Sequence, residues 1–131
     1  YKVTGVQTCA LPICGETRGV TIPCLSAKHG KTRQKVSSIL WKGKIFDPEC
    51  EELTNRWLVG KAVKAHVFIG ESWIDGKPSV ISDYKGSSPV VWKNIRDEIR
   101  QVGCGLYLGA MIRRSCPTPE FRMFFALEQC G

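Results

Sequence analysis

Arg96, Asp97, Glu98 and Arg100 are the densest group of charged side chains in the chain. In an extended strand, alternate residues share a face, so Arg96, Glu98 and Arg100 fall together and Asp97 falls opposite. Two chemistries suit such a group. If the face lines an enclosed space, an Arg can hold a ligand carboxylate or phosphate while Glu98 orients it. Asp97 or Glu98 in the same space could act as a general base. If the face points outward, the same residues form an ion-pair ladder across strands.

Other chemistry-bearing residues are scattered. His66 alternates with Lys64 and reads as an exposed or structurally bonded histidine. Glu71, Asp75 and Asp83 form a carboxylate site only if the fold gathers them, and Asp75 belongs to an Asp-Gly turn. No Ser/His/Asp or Cys/His arrangement has a recognisable motif spacing. Seven cysteines include no C-x-x-C pair, and neither His29 nor His66 lies beside a cysteine pair, so no zinc site is expected. The thiols read as reduced and individually packed. Gly103, Gly105 and Gly109 lack the following helix of a phosphate loop; Gly109 marks a bulge or a close backbone approach. No cofactor is expected.

The elements that must position these groups read mainly as strands. "VSSILWKGKIF", 36–46, is rich in β-branched and aromatic residues. "DPECEELTNRWLVG" predicts a short helix, with Asp47 as N-cap, Pro48 at the first position, acids in the first turn and Gly60 at the end. Val63 to Ile69 alternates, Asp75-Gly76 is a tight turn, and Ser79 to Tyr84 returns as a strand. "KGSSP", 85–89, is a loop. Residues 90–102 fit both a helical period and a strand. The two short runs that follow, "LYLGAMIRR" and "EFRMFFALEQ", favour the strand and an antiparallel meander.

The 131 residues, 43% of them hydrophobic, suffice for one domain with one core. The formal charge is +7. Much of the excess lies between Cys14 and Trp41, where Arg18, Lys28, Lys31, Arg33 and Lys35 accompany a single acid, Glu16. That stretch lacks aromatics for base stacking, so it reads as a solvated basic leader rather than a nucleic-acid site. No apolar run is long enough for a transmembrane helix. An intracellular location, cytoplasmic or plastid, is expected, and the sequence leaves the oligomeric state open.

Two resemblances add to this reading. Val3 to Ile13, "VTGVQTCALPI", resembles the translation of a short-read sequencing-library adapter at every position. With Tyr1 first and Met111 the first Met, the chain is expected to come from a fragment or a translated reading frame. Residues 1–14 are then expected to pack poorly, 15–35 to form a polar leader without regular structure, and 36–131 to form the domain. Second, "LWKGKIF" (Leu40 to Phe46), "PSVISDY", "RDEIRQVGCGLYLGAMIRR" and "FRMFFALEQ" resemble small calycin-like domains of the GXWXG type and related plant and algal proteins. The resemblance covers roughly residues 38–129; the G-x-W-x-G element itself is absent.

The resemblance implies a lipocalin-like antiparallel β-barrel, or partial barrel, with an interior cavity, and it implies no known reaction. The expected ligand is small and hydrophobic, with or without an acidic group. Trp41, Tyr84 and Tyr107 are the expected aromatic contacts, and Arg96, Glu98 and Arg100 the expected polar ones. A small isomerase or cyclase using Asp97 or Glu98, and a nucleic-acid-binding barrel, are the alternatives.

Overall fold

The structure, a computed structural model, describes residues 13–22, 41–58, 60–86, 92–115 and 117–130. Eight strands form it: β1 (Gly15–Ile22), β2 (Trp41–Asp47), β3 (Glu52–Trp57), β4 (Gly60–Glu71), β5 (Pro78–Asp83), β6 (Ile95–Gly103), β7 (Leu106–Arg113) and β8 (Glu120–Gln129). Each is antiparallel to its chain neighbours, and β1 pairs with β8 to close the ring. This is a mainly β, closed antiparallel barrel. Eight strands enclose a space that side chains fill, or nearly fill with room for one small ligand.

Alternation decides which residues point inward. Val80 pairs with Ile99 and Tyr107 with Leu127, and Val67, Phe46, Leu53 and Ala65 share the inner face with them. They form a dry core at one end of the barrel. At the other end the inward residues are larger and partly polar, and packing there is incomplete.

Three sequence expectations are corrected. The helix expected over 47–60 is instead a turn followed by β3. Asp47 does cap, accepting from the amides of Glu49 and Cys50, but the cap serves a hairpin turn. Leu53, Asn55 and Trp57 then point into the barrel at period two. Burial on a closing sheet overrides a local helical signal.

The leader is the second. Gly15–Ile22 is β1, and its register with β8 runs from Thr17 opposite Gln129 to Ile22 opposite Phe124. Thr17, Gly19 and Thr21 point inward while Arg18 and Val20 point out. Ile13 is the third. It is fully buried in the core, so the expectation of poor packing fails at that residue. The remainder of the adapter-like stretch, the strand residues 36–40 and most of the "KGSSP" loop lie outside the described residues. The 90–102 ambiguity resolves as strand from Ile95 onward.

Candidate functional site

The incomplete packing leaves a cavity of about 90 Å³ at one end of the barrel. Trp41, Lys44, Asn55, Tyr84, Asp97 and Phe125 form its buried floor and walls. Thr21, Trp57, Trp92, Met111 and Met123, each only partly buried, form its rim. The space matches a single ring or the end of a short chain, well below the roughly 300–1,000 Å³ that drug-sized ligands occupy.

A bulge builds the floor. Trp41 and Lys44 are three residues apart, a spacing that puts side chains on opposite faces of a regular strand. Here Trp41 pairs with Trp57 and Gly43 pairs with Arg56, so two residues of β2 oppose one of β3. Gly43 sits at φ +138°, and a Cβ there would lie 2.2 Å from the Thr17 carbonyl oxygen. Only glycine fits, and the result is that both Trp41 and Lys44 point inward. The aromatic walls need glycine too. A Cβ at Gly19 would meet the Trp41 ring at 2.5 Å, and one at Gly109 would meet the Phe125 ring at 2.1 Å. The expectation that Gly109 marks a close approach is met. Trp41 and Phe125 then pack edge to face with centroids 5.5 Å apart.

At the floor, the Lys44 ammonium has three acceptors. Nζ donates to Tyr84 OH at 2.7 Å and Asn55 Oδ1 at 3.0 Å, and lies 2.9 Å from Asp97 Oδ2. Trp41 Nε1 donates to Asn55 Oδ1 at 3.0 Å. Asn55 Nδ2 donates to Tyr84 OH at 2.8 Å and to the Val63 carbonyl at 2.9 Å. Tyr84 OH donates to Asp97 Oδ2 at 3.4 Å. The ammonium also lies 5.3–5.5 Å from the Trp41, Tyr84 and Phe125 ring centroids. A buried cation is thus both paired and boxed.

Burial by itself would lower the pKa of Lys44, but the Asp97 carboxylate, with Tyr84, outweighs it and the net shift is upward. Burial pushes the Tyr84 phenol up from 10.0 to about 12. Both shifts favour the proton-bound form in the folded state. Their contribution to stability is complete below the unfolded values, near pH 10, and is lost as the pH rises through the folded ones. The melting temperature is therefore expected to hold steady up to about pH 10 and to fall steeply between pH 10 and about 12. Phenolate absorbance should show one tyrosine ionising together with unfolding. A melting temperature unchanged to pH 12 would contradict the buried network.

Trp41 and Tyr84 are the two expected contacts that the cavity brings together. Tyr107 points inward but lies in the dry core opposite Gln101 and Leu127, away from the cavity. The interior placement expected for Arg96, Glu98 and Arg100 is corrected. They do share one face, and it is the outer face, because their neighbour Asp97 points in. The β4–β5 turn folds over them. Glu98 accepts from Ser72 Oγ at 2.6 Å and from the Trp73 amide at 2.8 Å. Arg96 pairs with Glu98 at 3.1 Å, donates to the Glu71 carbonyl at 2.7 Å and stacks 4.0 Å from the Trp73 ring centroid. Arg100 is paired with Asp75, whose carboxyl its guanidinium and the Lys77 amide hold well below the usual carboxylate range. These residues fasten a turn to the wall.

Lys44 and Asn55 are site residues that the sequence reading missed. W-x-G-K was legible as a strand; the Gly in it was the signal for a bulge that turns the lysine inward. Of the Arg96–Arg100 group, Asp97 alone reaches the cavity.

The outer surface offers weaker sites. A groove of about 670 Å³ runs along β3 and β4 and is larger than the cavity. Its lining includes Glu52, Lys61, Lys64, His66 and Asp83, mostly exposed and of both signs, so it is an open, charged surface and not an enclosed one. Glu71 and Asp83 do not join Asp75 in a carboxylate cluster. Asp83 pairs with Arg114, and no group of metal-ligating residues occurs among the described residues. No described helix is long and apolar enough to cross a membrane. Arg18, Arg56, Arg100, Arg114 and Arg122 are each paired with an acid. In comparisons with protein-family models, curated proteins and solved structures, the chain matches none of them.

Proposed function

We propose that this barrel is a non-enzymatic binding protein that holds a small hydrophobic ligand in its end cavity. The observation that carries the reading is an aromatic-walled cavity set over a floor whose buried cation is already neutralised. Such a floor costs less to desolvate than an unpaired charge when an apolar group arrives, because the Lys44 ammonium is already paired by the protein. The resemblance of "LWKGKIF" and the later strands to calycin-like domains of the GXWXG type supports the same reading.

The test is native mass spectrometry of the purified protein for a co-purified small molecule, with tryptophan fluorescence titrated by toluene. Quenching that saturates, and is lost when Met123→Trp fills the rim, is expected. No co-purified molecule and no saturable response would sink the reading. Arg100→Ala is expected to leave the toluene affinity unchanged within about twofold, since Arg100 lies on the outer face, where it holds Asp75 and Ser79. A larger loss in the folded variant would place the site on the outer face.

One observation favours a second reading, an isomerase or cyclase. Asp97 puts a carboxylate at the cavity floor where a bound ligand could meet a base. Chemical change of a bound ligand on incubation would establish it, and recovery of the ligand intact would exclude it for that ligand.

A further inference from the structure

We infer that the cavity selects a neutral ligand bearing one hydrogen-bond donor, a hydroxyl or a ring N–H, which it receives on Oδ1 of Asp97. This rests on the cavity-binding reading and names the ligand class.

The floor's valences lead there. Lys44 spends all three N–H groups on Asn55, Tyr84 and Asp97. Tyr84 OH accepts from Lys44 and Asn55 and points its own proton at Asp97. Asn55 Oδ1 accepts twice and Nδ2 donates twice. Every contact made to Asp97 goes to Oδ2. Oδ1 accepts from no described residue. It is also not sealed away: the buried polar side-chain atom left without a partner among the described residues is Ser82 Oγ. Asp97 is only 3% exposed and lines the cavity. Its free oxygen is therefore placed to meet a ligand in that cavity. A carboxylate oxygen accepts and does not donate, so the ligand must bring the proton.

Charge excludes the other two classes. A carboxylate ligand would find the ammonium fully committed and the Asp97 oxygen turned toward it, like charge against like. An ammonium ligand would find the aromatic faces already shared with Lys44, whose positive charge lies 5.3–5.5 Å from three ring centroids. A neutral donor meets neither penalty. The apolar remainder lies against Trp41, Phe125, Met111 and Met123. A hydrogen bond to a charged acceptor is among the stronger kinds.

The test compares ring-sized probes of nearly equal shape on the unmodified protein. Phenol against toluene, and indole against indene, differ chiefly in the donor. Benzoate and benzylammonium carry the two charges. Dissociation constants come from calorimetry or tryptophan fluorescence near pH 7. Phenol and indole are expected to bind about tenfold or more tighter than their donor-less partners. Both charged probes are expected to bind more weakly than toluene.

The variant Lys44→Met/Asp97→Leu, which removes both charges together, should lose the preference for phenol over toluene. Toluene binding as tightly as phenol overturns the inference and leaves the cavity-binding reading standing. So does a phenol preference that survives in the double variant, or benzoate binding tightest. Failure of all six probes, with none retained on purification, overturns the cavity reading and this inference with it. The probe comparison needs no variant to fold.

Discussion

Lys44→Met is expected to destabilise the barrel by about 3–5 kcal/mol, the range found when one partner of a buried ion pair is removed. The reason is what it leaves behind. Asp97 is buried, and its remaining contact is the 3.4 Å bond from Tyr84. Asn55 Oδ1 and Tyr84 OH each lose a donor as well. Methionine fills the space but satisfies none of these groups. Removing Asp97 as well should return most of the loss, because a neutral pair of similar volume carries no desolvation penalty. Urea unfolding of Lys44→Met, Asp97→Leu and the double variant measures the coupling directly. The double variant should be more stable than Lys44→Met by at least about 2 kcal/mol. A Lys44→Met loss below about 1 kcal/mol would mean that the ammonium is hydrated and that the floor is open to water.

The same residues show how much of the molecule could be seen in the sequence. Val67, Val80, Ile99 and Leu127 announce their strands by alternation, and the Asp75-Gly76 turn by its residue types. The meander after residue 95 follows from strands joined by short turns. β1 was hidden because its inward residues, Thr17, Gly19 and Thr21, are small or polar. Gly19 has to be, since the Trp41 ring occupies the space that a side chain there would need. β3 was hidden because Asp47, Pro48 and three glutamates imitate a helix start, while only barrel closure decides between the two. The charged face of β6 was read with the correct periodicity but could not be assigned a side. Periodicity says which residues share a face; whether that face is inside depends on the register with β5 and β7, which pairs Asp97 with Ser82 and Met111. Lys44 needed a bulge as well as a register. A hydrophobic pattern cannot reveal a cation that is buried by design, and a Gly two residues after a Trp is a faint local sign of it.

The outer face of β6 carries the other large effect. Arg96→Met is expected to cost about 3–5 kcal/mol and to loosen the β4–β5 turn. Glu98 is 5% exposed and would keep its bonds from Ser72 and Trp73 while losing its countercharge. The Trp73 ring would lose the guanidinium stacked on it, and the Glu71 carbonyl would lose a donor. Both consequences fall on residues 71–73, where β4 leaves the barrel wall. Amide exchange should therefore accelerate first at Trp73 and Gly76, whose N–H groups bond to Glu98 and to the Ser72 carbonyl. Adding Glu98→Gln should recover part of the loss, since Gln still accepts from Ser72 and Trp73 without carrying an unpaired charge. Through all of this the affinity for a cavity probe should hold, because Arg96 and Asp97 are sequence neighbours on opposite sides of the wall. If Arg96→Met weakens probe binding while exchange at Trp73 stays slow, then the wall transmits what happens outside to the cavity floor, and the separation of fastening from binding argued from β6 fails.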